Sequence, residues 1–232
     1  MAKIEKEASD DLTGWAVLLV GLLCCGAMLW KNIIGPRFFR VPSMDFVEFN
    51  LFSLVILLLP PLTLLLLFLK RDVTEFGLAS CSREGVGISW IAAIAFLPVL
   101  AIVGKTKPFQ EYYLWWLGGS GAYRFGRIDW GRLAFHEGVM CLYMLAWEWF
   151  FRGFLLFGLR KIMPAWGAAL VQAALFCALH YGKPPIELIS SFFGGLVLAA
   201  VAFRYKSVLP CFLVHFLISA ANDGGALYFH FR

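Results

Sequence analysis

Charge is scarce in this sequence. Only 15% of its 232 residues are Asp, Glu, Lys or Arg, against 61% hydrophobic, and the mean hydropathy is +0.77. Soluble domains are about a quarter charged and about half apolar, so this composition excludes an ordinary soluble domain and implies a polytopic membrane protein. The net charge of +5 is modest. Its basic residues fall in short connections such as Lys70-Arg71, Arg160-Lys161 and Arg204-Tyr205-Lys206, where they serve as topology determinants and headgroup contacts. No nucleic-acid surface is read from them. They divide almost evenly between alternate connections, which leaves the side of the N-terminus undetermined by the positive-inside rule.

Other absences narrow the field further. The six cysteines, at 24, 25, 81, 141, 177 and 211, have no metal-ligand spacing, and five fall in apolar stretches, so they read as reduced packing residues. Lys3 and Lys6 alternate with Glu5, Glu7, Asp10 and Asp11, and no small-residue cleavage site follows. A retained first span is expected, not a removed signal peptide. No soluble domain, internal repeat or low-complexity linker is visible. The lack of an inverted repeat of broken helices argues against a small transporter.

What the sequence has is apolar runs punctuated by turn residues. The first span covers about Trp15 to Trp30 and is bounded by Lys31 and Gly35-Pro36. The second runs from about Phe46 to Leu69, with a kink expected at Pro60-Pro61, and the third from about Ile88 to Val103. From Lys105 to Arg132 the chain carries five basic residues, the cluster Tyr112-Tyr113-Leu114-Trp115-Trp116 and several glycines. That composition fits a loop or interfacial helix at the membrane surface. Further spans follow at about 133–159, 166–180, 186–203 and 208–221, the last closed by a turn at Asn222-Asp223-Gly224-Gly225. The fold class is an all-α polytopic transmembrane bundle of about seven or eight helices. Residues 1–132 form the N-terminal helices and a basic aromatic interfacial loop, and 133–232 form the motif-bearing core.

Within the spans a few ionisable groups stand out. Glu148 and Arg152 lie four residues apart in Trp147-Glu148-Trp149-Phe150-Phe151-Arg152-Gly153, on one helix face, where each offsets the other's desolvation. A structural ion pair and a catalytic role both account for such a pair. His180 and His215 lie on two other spans. Convergence of the three helices would surround one point with a carboxylate and two imidazoles, the equipment for activating water. The same three groups would also suit a zinc ion as two nitrogens and one oxygen. His136 and Glu137, near the start of their span, are expected at the interface. Cys177 and Cys211 share faces with the two histidines, but apolar surroundings disfavour a thiolate nucleophile there.

At these residues the chain resembles the CPBP group, also called Abi, which contains CAAX prenyl endopeptidases and bacteriocin-processing or immunity proteins. The group's Glu-Glu-x-x-x-Arg motif is matched by Trp147-Glu148-Trp149-Phe150-Phe151-Arg152. Its Phe-x-x-x-His motif is matched by Phe176-Cys177-Ala178-Leu179-His180, and His-x-x-x-Asn/Asp by His215-Phe216-Leu217-Ile218-Ser219. The resemblance implies an intramembrane endopeptidase in which glutamate and histidine activate water while a histidine and an amide stabilise the oxyanion. Glu148, His180 and His215 are then the catalytic candidates, with Arg152, Ser219 and Asn222 in support. Two departures matter. Trp147 replaces the first glutamate, the group's proposed general base, and Ser219 replaces the amide, which Asn222 would supply if the helix continues. A metal, if used, would be zinc on Glu148, His180 and His215; no other cofactor is implied. The expected partners are the bilayer and a membrane protein or peptide with a hydrophobic or lipidated tail. The expected location is integral and multi-pass, in a bacterial inner membrane. The alternative is a catalytically inactive relative acting in partner binding or immunity.

Overall fold

The computed structural model describes the backbone of residues 2–38 and 42–232, with side chains for 4–32 and 46–232. It is an all-α bundle. α1 (Ala2–Phe38) and α2 (Pro42–Thr63) are followed by a π-helical turn (Leu64–Phe68), a 3-10 turn (Val73–Phe76) and α3 (Arg83–Val103). α4 (Lys107–Ser120) leads into a hairpin of β1 (Tyr123–Arg124) and β2 (Arg127–Ile128). α5 begins as an α-helix (Trp130–Glu148), passes through a π-helical segment (Trp149–Leu155) and ends in one α-helical turn (Leu156–Leu159). α6 (Ala165–Ala178), α7 (Pro185–Tyr205) and α8 (Leu209–His230) complete the described chain.

Among the described residues five helices are long and apolar enough to cross a membrane, and the protein is an integral membrane protein. They are α1, α2 with its π turn, α3, α5 and α7. α6 is apolar but short, and α8 carries Asn222 and Asp223 inside it. α5 is the central helix: 78% of its most apolar stretch is buried in the protein, against 11% for α3. α1, α2, α4, α6, α7 and α8 all touch α5 or its π segment. α3 instead packs on α8 and turns most of its apolar side chains outward, as a lipid-facing helix does.

Two boundaries differ from expectation, and one irregularity agrees with it. α1 continues through Gly35-Pro36 to Phe38. Pro60-Pro61 lie inside α2, as expected, and the irregularity they impose appears just after them as the π turn, where ladder hydrogen bonds lost to proline are re-paired at a wider spacing. α8 runs through Asn222-Asp223-Gly224-Gly225, where a turn is expected from residue type. Helix packing overrides the turn signal there: a side chain on Gly225 would crowd Leu100 of α3, so glycine allows the two helices to approach.

The α5 π segment is fixed by a similar close approach. A β-carbon on Gly153 would run into the carbonyl oxygen of Phe76, a backbone atom that cannot rotate away. Gly153→Ala is expected to destabilise the fold by about 1–3 kcal/mol, the usual range for overpacking. Thermal unfolding in detergent checks this, and an unchanged midpoint would show that the contact yields.

Candidate active site

Glu148 is the last residue before α5 widens into its π segment, a helix irregularity often found at functional sites. Arg152 Nη1 donates to Glu148 Oε1 at 3.0 Å, and neither side chain is exposed. The guanidinium also lies 4.0 Å from the ring centroid of Phe176 on α6, a cation–π contact that partly replaces lost hydration. From α8, His215 Nδ1 donates to the same Oε1 at 2.6 Å. The carboxylate thus gathers two donors from two helices, the arrangement a buried charge requires. Its second oxygen, Oε2, has no partner among the described residues.

His180 is held differently. α6 ends at Ala178, and the following turn passes through Gly182 at φ 92°, a left-handed conformation that glycine adopts at low cost. In that turn His180 Nδ1 lies 2.7 Å from the Phe176 carbonyl oxygen, one of the carbonyls freed where the helix stops. A carbonyl only accepts, so Nδ1 carries the hydrogen and Nε2 of the neutral ring keeps its lone pair. For His215 an ionised Glu148 enforces the same tautomer. The two imidazoles are near-parallel, with centroids 6.4 Å apart and planes at 19°. Both therefore present an Nε2 lone pair that can accept a hydrogen bond.

Both rings line a cavity of about 870 Å³, within the range of small-molecule sites, whose walls are mostly aromatic. Trp147 lines it too, placing an indole where the resembling group has its first glutamate. Ser219, one helical turn after His215, is also in the wall. Glu148 is not; it sits behind His215 and reaches the cavity through that ring. The expected use of Asn222 is not the arrangement found. Its amide donates to the Tyr113 hydroxyl at 2.8 Å, which in turn donates to Glu187 Oε2 at 2.8 Å, because Tyr113 of α4 is packed between α7 and α8. Glu187 also receives Lys183 Nζ at 2.5 Å. Burial works against the Lys183 ammonium, but the Glu187 carboxylate, with Tyr112 nearby, outweighs it and holds the lysine charged, above its ordinary pKa.

The zinc expectation fails a fit test. Glu148 Oε1 is spent on Arg152 and His215, and the His215 nitrogen facing it is protonated, so the three groups do not converge as ligands. Among the described residues no group of three or more His, Cys, Asp or Glu is placed to hold a metal ion. The cysteines lie outside the cavity wall: Cys177 donates to the Leu188 carbonyl and Cys211 to that of Leu198.

His136 does not face outward. It is buried, stacked on Phe46 at 4.7 Å, and bonded through Nε2 to Asp223 Oδ2 at 3.2 Å. Asp223 lines the cavity. Residue types alone hid this pair, since Asp-Gly-Gly reads as a turn; the available signal was a second acid and histidine on helices already carrying site residues.

The bundle and its buried carboxylate–imidazole pair define an all-α integral membrane protein with a polar site opening on a cavity between its helices. Residues 131–221 match the model of the Rce1-like family, described as type II CAAX prenyl endopeptidase Rce1-like, in agreement with the CPBP/CAAX protease resemblance carried by the three motifs. The match covers less than half of the chain and spans every residue of the Glu148, Arg152, His180 and His215 cluster. No curated protein and no solved structure matches the chain.

Proposed function

We propose that this protein is an intramembrane endopeptidase that hydrolyses a peptide bond in the hydrophobic or lipid-modified tail of a membrane-associated protein or peptide. The observation that carries this reading is the 2.6 Å bond from His215 to the buried Glu148, beside His180 in the wall of one aromatic cavity. The protease family matched by residues 131–221 supports it.

In the proposed mechanism a water donates one hydrogen to His215 Nε2 and is oriented by His180 Nε2. Its oxygen attacks the scissile carbonyl carbon. His215 takes the proton and becomes an imidazolium whose charge Glu148 offsets, the role of a carboxylate behind a histidine base. Arg152 holds the Glu148 carboxylate in place, and the Ser219 hydroxyl donates to the oxyanion. The imidazolium then passes its proton to the leaving amine as the C–N bond breaks, giving a new carboxylate and a free amine. The aromatic walls accommodate the apolar tail.

The test is cleavage of prenylated and unprenylated tail peptides by the purified protein in proteoliposomes. Wild type is expected to cut, and His180→Ala, which loses the group that orients the water, to lose at least about a hundredfold, the scale of removing one preorganised hydrogen-bonding group from an active site. Unimpaired cleavage by a well-inserted His180→Ala protein would refute the reading.

Trp147 favours a second reading, a non-catalytic scaffold that binds a partner or serves immunity. In such a protein the indole blocks the place where the family's first glutamate would reach water. Trp147→Glu combined with Ser219→Asn is then expected to create cleavage that wild type lacks. Robust wild-type activity, reduced by the double change, rejects it.

A further inference from the structure

The proposed chemistry leaves Asp223 unused. This side chain is almost fully buried in the cavity wall, yet its Oδ1 has no partner among the described residues and its Oδ2 has a single bond of 3.2 Å from His136. A buried carboxylate so sparsely bonded is costly unless a donor arrives from elsewhere. Among the described residues no lysine or arginine pairs with it: Lys183 is bonded to Glu187 at 2.5 Å, and Arg124, in the same cavity wall, forms no ion pair with Asp223. Glu137, beside His136, adds a second carboxylate whose Oε2 is buried and unpartnered. Tyr112, Trp115 and Trp116 line the same cavity, and aromatic faces attract cations.

We propose that the Asp223 end of the cavity is a subsite for a cationic group, an ammonium or guanidinium, on the molecule bound there. Asp223 accepts its hydrogen bonds through Oδ1 while His136 fixes the carboxylate through Oδ2. The site also sets a distance. Asp223 follows His215 by about two helical turns, roughly 12 Å along the axis, or about three to four residues of extended chain. On the endopeptidase reading, a substrate would therefore carry its basic residue about that far from the bond that is cut. The binding site itself does not depend on that reading.

The experiment is a binding titration on the full-length protein in nanodiscs, following quenching of the cavity tryptophans, with hexadecylammonium, hexadecanol and hexadecanoate at matched bilayer mole fractions. The ammonium is expected to bind at least about tenfold tighter than the alcohol, as a charge-assisted hydrogen bond provides, with the carboxylate weakest. Asp223→Asn is expected to bring the ammonium down to the alcohol's affinity and leave the alcohol unchanged. Equal affinities for ammonium and alcohol in wild type, or preference for the carboxylate, would overturn the proposal. If Asp223→Asn does not fold, the wild-type order decides. Binding is measured without cleavage, so loss of the endopeptidase reading and loss of this subsite are separate results.

Discussion

His215→Ala is expected to reduce cleavage by about 10²- to 10⁴-fold, the range for removing a positioned general acid–base group, while leaving the protein folded. Folding survives because Glu148 keeps its 3.0 Å bond to Arg152 and is not stranded as a lone buried charge. Catalysis does not, because Glu148 lies outside the cavity wall and reaches water only through the imidazole. His215→Gln is expected to behave like the alanine variant, since an amide bonds the carboxylate but cannot take a proton. The kinetic signature is a fall in kcat with little change in KM. Because Trp147 and Ser219 stay in place, substrate contacts in the cavity are retained. A rise in KM alone would assign His215 to binding.

Arg152→Met is expected to have the largest effect on stability, a loss of about 3–5 kcal/mol, as when one partner of a buried ion pair is removed. The guanidinium is sealed between Glu148 and the Phe176 ring, and no other cation in the described structure bonds Glu148. Its removal leaves a carboxylate at membrane depth with only His215 to answer it. The double variant Glu148→Gln/Arg152→Met is expected to recover much of the loss, because neither unpaired charge then remains. Unfolding midpoints in detergent for the two single variants and the double variant give the coupling. Additive losses would show that the pair contributes through packing alone.

The parts of the site that the sequence revealed are those where a residue type clashes with its surroundings. Glu148 and Arg152 are charges in an apolar run, His180 and His215 are isolated imidazoles in others, and each costs too much at membrane depth to be there without a partner. Their order along the chain supplied the rest. Asp223 and His136 gave no such contrast. Asp223 sits in a run of turn-forming residues that α8 carries as helix because Gly225 packs on α3. His136 lies near an apparent span end, but Phe46 of α2 covers it. Neither contact has a signature in local sequence. The bundle class followed from composition, yet helix limits did not: Gly35-Pro36 and Asn222-Asp223-Gly224-Gly225 lie inside helices, since tertiary packing outweighs local breaking tendencies in a membrane bundle. The role of Glu148 was also out of reach, because a position on a helix face does not reveal whether it meets the cavity or the ring in front of it.

The most direct test of the central claim is cleavage of a tail peptide by the purified protein in ¹⁸O-labelled water, with mass analysis of both products. Hydrolysis by the Glu148–His215 pair predicts one ¹⁸O in the new carboxylate, an unmodified new amine, and loss of both products in Glu148→Gln. Cleavage that persists at the wild-type rate in Glu148→Gln, or no cleavage by wild type of any tail peptide while Trp147→Glu with Ser219→Asn cuts, would contradict it.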